Sequence, residues 1–150
     1  MKGVERVELT IRTIEKKDYL DILDLWNIEI GNTMVNNKNI EEYYEEMAMD
    51  NRYQTFVAID GNQVVGFITS VNSLAVGLEN GFIHITGLAV KGKYQGQGIG
   101  KKLLLYLEEY ANKIGVRSLI LNSGVQRKKA HEFYAKNGYS KDSFCFNKTI

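Results

Sequence analysis

The sequence predicts an α/β (α+β) fold in which helices cover a mixed β-sheet, and three observations carry that prediction. Short runs such as Val7–Arg12 alternate in hydrophobicity as half-buried strands do. Longer runs carry apolar residues at helical spacing. The two kinds of run alternate along 150 residues with no linker and no internal repeat, as layered single domains do. A chain of this length is expected to form one domain, residues 1–150, with a sizeable core.

Taken in order, Val7–Arg12 reads as the first strand. A helix from Asp18 to about Ile30 follows, with Tyr19, Ile22, Leu23 and Trp26 on one stripe. Asn39 with Glu42 three positions later resembles a capping box and opens a second helix to about Met49. The runs Thr55–Ile59 and Val64–Ile68 flank Asp60-Gly61-Asn62, a hairpin signal in which Asp-Gly supplies the turn. Phe82–Val90 is a fourth strand. Ile99, Leu103, Tyr106, Leu107, Tyr110 and Ile114 line one face of a helix that Gly115 stops. Ser118–Leu121 is a short strand, and a helix spans about Gln126 to Asn137 before Gly138. A last strand is expected around Ser143–Lys148.

Composition narrows the function. Hydrophobic content of 44% and charged content of 25% are those of a water-soluble globular protein, and the cytoplasm is the expected location. No run approaches the roughly 18 apolar residues of a membrane helix, and no signal peptide is expected. The one cysteine, Cys145, and two histidines, His84 and His131, argue against a disulfide framework and a cysteine- or histidine-rich metal centre. Charge is divided unevenly: residues 1–80 carry 7 basic and 14 acidic side chains (net −7), residues 81–150 carry 12 and 4 (net +8). Two differently solvated faces account for that division, and so does an anion met by the second half and a cation by the first.

The strongest chemical signal is Lys93-Tyr94-Gln95-Gly96-Gln97-Gly98-Ile99-Gly100-Lys101-Lys102-Leu103, between a strand and a helix. Main-chain N–H groups at a helix start have no carbonyl within the helix to bond, so such a loop takes anions, phosphate above all. It is not a nucleotide P-loop, because Gln95 stands where the first glycine belongs and Lys102 where the hydroxyl belongs. Nor is it a dinucleotide fingerprint starting at Gly96, because the third glycine would fall on Lys101.

Gln95-x-x-Gly98-x-Gly100, after a strand ending Leu88-Ala89-Val90, resembles the acetyl-CoA loop of the GNAT superfamily of N-acetyltransferases, Gln/Arg-x-x-Gly-x-Gly/Ala. A second segment, Ala130-His131-Glu132-Phe133-Tyr134-Ala135-Lys136-Asn137-Gly138-Tyr139, is similar to the family's Ala-x-x-x-Tyr-x-x-x-Gly-Phe/Tyr helix and turn. The order of elements in the first half matches too, so the likeness spans nearly the whole chain. It implies a mostly antiparallel sheet splayed between its fourth and fifth strands. It also implies direct acetyl transfer from acetyl-CoA, as co-substrate, to a small-molecule or peptide amine. No metal, nucleic acid or membrane enters that activity, and homodimers are common among relatives.

The resemblance also implies roles. The main chain of Gln95, Gly96, Gln97, Gly98, Ile99 and Gly100 would bind the CoA pyrophosphate, with Lys101 beside it. Leu88, Ala89 and Val90 would pair with the pantetheine arm like an added strand, and an amide near Leu88 would polarise the thioester carbonyl. Gly87 suits the bulge that splaying requires. Tyr134 would donate a proton or hydrogen bond to the departing thiolate. His84 lies near the position where several members carry a catalytic or water-ordering residue, and an imidazole titrates in a useful range. A structural strand histidine is the alternative. His131 is read as a surface residue.

Two positions depart from the pattern. Arg127 replaces a frequent Asn, as a phosphate contact or as a surface residue at a helix start. Gly92 stands where the family has proline in Val-x-Pro. Other function classes compatible with the sequence are a non-catalytic acetyl-CoA-binding module and, less well supported because aromatics are not interleaved with the basic residues, a nucleic-acid binder. Glu41, Glu42, Glu45 and Glu46 form two same-face acidic pairs on the second helix, and an acidic pair lining the acceptor side would favour a cationic amine.

Overall fold

The computed structural model describes residues 8–150, so Val7 of the first expected strand lies outside them. Five strands form one sheet in the order β1-β2-β3-β4-β5: β1 Leu9–Thr13, β2 Tyr53–Asp60, β3 Gln63–Ala75, β4 Leu78–Val90 and β5 Leu119–Leu121. The first four are successive antiparallel neighbours. β5 runs parallel to β4 and splays from it, as expected. The N–H of Ile83 donates to the Ser118 carbonyl (2.9 Å) where the two meet. Helices are α1 Tyr19–Asp24, α2 Asn37–Ala48, α3 Ile99–Ile114 and α4 Lys128–Lys136. The chain divides into two compact units, Met1–Ile120 and Leu121–Ile150.

In the first unit both faces of the sheet are covered. Val57, Ile59, Phe67 and Ala89 pack in one buried cluster with Tyr19, Ile22, Leu25, Ile40 and Tyr44. Phe56 meets the rings of Tyr106 (4.7 Å) and Tyr110 (5.8 Å) of α3 edge-on. Leu103 and Leu107 on the apolar stripe of α3 are fully buried, each contributing about 1.5–3 kcal/mol by leaving water.

Several local expectations are corrected. The first helix has its expected extent but changes type along it: Lys16–Asp18 is a 3-10 turn, α1 follows, and Leu25–Ile30 is a π-turn ending at Gly31. The cap of α2 is Asn36, not Asn39. Its side chain accepts the N–H of Lys38 and Asn39, and Asn39 returns the bond to the N–H of Asn36. In the β2–β3 hairpin Asp60 pairs with Gln63, so Gly61-Asn62 forms the turn, with glycine in its first place at φ +60°.

The last expected strand does not form. Residues 139–150 adopt no regular element, and Phe144 and Phe146 are 88% and 92% exposed. Alternation suggests a strand, but a ladder of partner bonds is what makes one.

Candidate functional site

The site begins at an interruption in β4. Thr69 of β3 pairs with Gly87, and the next residue, Ser70, pairs with Ile85, so Thr86 is a bulge. Directly opposed residues share a face, and Val71, on the same face as Thr69, pairs with His84. The extra residue therefore carries His84 onto the face of Gly87, which regular alternation would deny it. His84 is half-buried there.

Gly87 is required by close approach. A Cβ on it would lie 2.6 Å from the indole of Trp26. Trp26 sits in the π-turn, and its Nε1–H donates to the Tyr44 hydroxyl (3.1 Å). That hydroxyl also bonds the Thr69 side chain (2.8 Å), to which Thr55 donates (3.1 Å). Burial pushes the Tyr44 phenol up from its ordinary value. A satisfied polar chain beneath the bulge thus fixes the ring that rests on it.

Past the bulge, Leu88, Ala89 and Val90 pair with Ile68, Phe67 and Gly66 along one edge. Lys91 N–H continues the ladder to the Val65 carbonyl (2.8 Å), so the trans peptide turns the Val90 carbonyl away from β3. The Gln95 side chain donates to that carbonyl (2.9 Å). Gly92–Tyr94 forms a 3-10 turn, anchored by the Tyr94 hydroxyl donating to Asp60 (2.7 Å). Glu29 of the π-turn accepts from the Gly92 N–H (2.8 Å) and from the Gln95 side chain (3.0 Å).

Gly96 and Gly98 lie at φ +77° and +83°, where side chains with a Cβ are strained. A Cβ on either would have no atom within 4 Å, so backbone conformation and not crowding calls for glycine there. Gly98 leads into α3, where the N–H groups of Ile99, Gly100 and Lys101 have no carbonyl of an earlier turn to bond. Lys101 is exposed beside them. With no acidic residue between Gly92 and Leu107, the cradle suits an anion.

In the second unit, Arg127 stands at the start of α4, exposed, and its N–H donates to the Gly124 carbonyl (3.0 Å). His131 is half-buried rather than a plain surface residue, with Nε2 bonded to the Gly124 carbonyl (2.8 Å). Tyr134 is half-buried, its ring edge-on to Phe133 (5.3 Å) and Tyr139 (5.8 Å). Burial raises the pKa of its phenol, against a smaller opposing effect of Arg127, which keeps it protonated beyond the usual range.

The acidic pairs of α2 do not face the sheet. Ile40 and Tyr44 are its buried residues, while Glu42 and Glu46 are exposed on the opposite side. Glu41 and Glu45 both bind Lys16 (3.0 and 2.9 Å), whose pKa they raise, Glu45 most. Trp26, Tyr44 and Glu29 are the site residues that sequence reasoning missed. The one available signal was position: Trp26 and Glu29 lie three residues apart on a helix that stops at Gly31.

A model of the Acetyltransferase (GNAT) family matches residues 19–139. Over 94 residues the chain is 32% identical to an aminoalkylphosphonate N-acetyltransferase of Salmonella typhimurium, covering 63% of this chain and 61% of that protein. Over 89 residues it is 35% identical to an uncharacterized N-acetyltransferase of Bacillus subtilis, covering 55% and 63%. The chain therefore spans under two thirds of the length of these curated relatives. An aminoglycoside acetyltransferase from an uncultured soil metagenomic sample, solved with trehalose, has a similar structure. Its TM-score is 0.85 at 22% identity, covering 97% of this chain and 99% of that one. That likeness is one of fold.

Proposed function

Because the chain belongs to the GNAT acetyltransferase family, we propose that it transfers the acetyl group of acetyl-CoA to a primary amine by direct attack in a ternary complex. The observation that carries the reading is the loop itself: Gly96 and Gly98 at positive φ, opening onto the free amides at the start of α3. Those amides hold the pyrophosphate, and Lys101 adds positive charge. The outer edge of Leu88–Val90 pairs with the pantetheine arm.

The co-substrate supplies an acetyl thioester. The Leu88 amide donates to the acyl oxygen, where negative charge grows during attack. An alkyl amine with a pKa near ~10.4 is mostly protonated at neutral pH, so a base must take its proton. His84 fills that role, directly or through water, from the face the bulge gives it. The amine nitrogen bonds to the acyl carbon as the carbon–sulfur bond breaks, and Tyr134 donates its proton to the departing sulfur. Burial keeps that phenol protonated, as a donor must be. Two similar proteins, an aminoalkylphosphonate N-acetyltransferase and an aminoglycoside acetyltransferase, support a small-molecule amine as acceptor.

The test is thiol release from acetyl-CoA across a panel of aminoalkylphosphonates, aminoglycosides, polyamines, amino acids and peptides, with mass spectrometry of the products. Turnover with at least one primary amine, one acetyl group gained per thiol released, is expected. Binding of acetyl-CoA with no acetylated amine would leave a binding module and overturn the enzymatic reading.

A further inference from the structure

We infer that Glu29 is a positioning residue that holds the glycine loop ready for CoA, acting through Gly92 and Gln95. Its two carboxylate oxygens are used separately. One accepts the Gly92 N–H at 2.8 Å, the other the Gln95 side-chain amide at 3.0 Å. The second N–H of that amide donates to the Val90 carbonyl at 2.9 Å, so Gln95 is held between the strand it leaves and the helix that faces it. The three partners bracket the turn that delivers the chain to Gly96 and Gly98.

Glu29 is itself anchored. The π-turn Leu25–Ile30 places Trp26 against Gly87, and Trp26 is tied to Tyr44. The same short segment therefore grips β4 at its bulge through Trp26, and the loop five residues later through Glu29. Gly92 has little rotational restraint of its own, and a Cβ there would meet only the Glu29 carboxylate, at 3.3 Å. The restraint comes from across the fold. Binding a ligand to a loop already ordered avoids the entropy cost of ordering it on contact.

Proline offers an independent way to supply the same restraint. It fixes φ near −65° and has no N–H to satisfy. Lys91 has φ −56° and ψ 135°, the extended conformation favoured before proline, and Gly92 opens a 3-10 turn, where proline is welcome. Gly92→Pro should therefore replace what Glu29 provides.

This inference rests on the proposed acetyl-CoA site, and the experiment separates the two. CoA is titrated calorimetrically into the wild type, Glu29→Ala, Glu29→Gln and Glu29→Ala/Gly92→Pro, with thermal melting and steady-state kinetics on each. Glu29→Ala is expected to raise the Kd for CoA and the KM for acetyl-CoA together by about tenfold, with kcat falling less than about twofold. Glu29→Gln keeps an acceptor for Gly92 and recovers part of the loss; Gly92→Pro recovers most of it. No binding by the wild type overturns the site and this inference with it. Wild-type binding matched by Glu29→Ala overturns the inference alone. Tighter binding by Glu29→Ala also overturns it, because the carboxylate would then act only as a charge repelling an anion. So does a loss that Gly92→Pro leaves in place.

Discussion

In the proposed function the glycine loop and the α4 segment both serve acetyl-CoA, yet they are shaped in opposite ways. The loop is held from far along the chain: Tyr94 by Asp60, Gly92 and Gln95 by Glu29, Lys91 by Val65. The α4 segment is shaped by near neighbours: His131 and Arg127 bond the Gly124 carbonyl, and the N–H of Tyr139 bonds the Tyr134 carbonyl. A locally shaped segment presents its side chain wherever its own sequence is kept. A remotely held loop transmits changes made elsewhere. Mutations should therefore separate into those that remove chemistry in α4 and those that loosen binding at the loop without touching it.

The largest effect belongs to α4. Tyr134→Phe keeps the ring among Phe133 and Tyr139 and removes the hydroxyl alone. Turnover is expected to fall about 10²-fold, within the usual range for a general acid, with CoA affinity nearly unchanged by calorimetry. The pH dependence follows from the raised phenol pKa. The donor stays protonated past the ordinary tyrosine value of about 10, so the alkaline limb of kcat belonging to Tyr134 lies above that pH and is missing in the Phe variant. Unchanged turnover, with chemistry shown to be rate-limiting, would reduce Tyr134 to a packing residue.

A smaller effect tests the remote hold on the loop. Tyr94→Phe removes the hydrogen bond to Asp60 across 34 residues of sequence while keeping the ring. Bonds to charged groups are worth about 1.5–3 kcal/mol when well formed, and exposure reduces that, so CoA affinity should weaken roughly threefold to fivefold. Turnover at saturation should hold. An unchanged Kd would mean that the loop keeps its shape without the Asp60 anchor.

The smallest effect comes from a local bond. His131→Ala removes the contact to Gly124 and should cost about 1 kcal/mol of stability by denaturant titration, with CoA affinity within about twofold of wild type. A tenfold loss of affinity instead would place His131 in the binding machinery and erase the contrast between the two regions.

The same contrast explains what could be read in the sequence. The stripe of α3, its stop at Gly115 and the hairpin between β2 and β3 depend on spacing over a few residues, and their signals are local. Gly96 and Gly98 were legible because positive φ is written into residue type. A bulge was legible near Gly87, although it falls on Thr86, and the need for glycine was not, since Trp26 approaches Gly87 from 61 residues away. The Trp26–Tyr44–Thr69 chain and the Glu29 contacts join residues 18 to 66 apart, and no local pattern marks such pairs. Asn36 and Asn39 are both good cap residues, and only the geometry of the turn selects Asn36. The acidic residues of α2 were visible as a cluster, but Ile40 and Tyr44 decided which way they face. The alternation of Phe144 and Phe146 marked a strand that had no ladder to join.

The central claim is that the main chain of the Gln95–Gly100 loop binds CoA. Calorimetric titration of acetyl-CoA into the wild type and Gly98→Val addresses it most directly. Valine at φ +83° is strained, so the variant must distort the turn that leads into α3. The account predicts wild-type binding that weakens at least tenfold in a variant still folded by circular dichroism, a loss of about 1.4 kcal/mol or more. No heat from the wild type up to about a millimolar, the weak end of measurable affinity, or equal affinity in the two proteins, would contradict it.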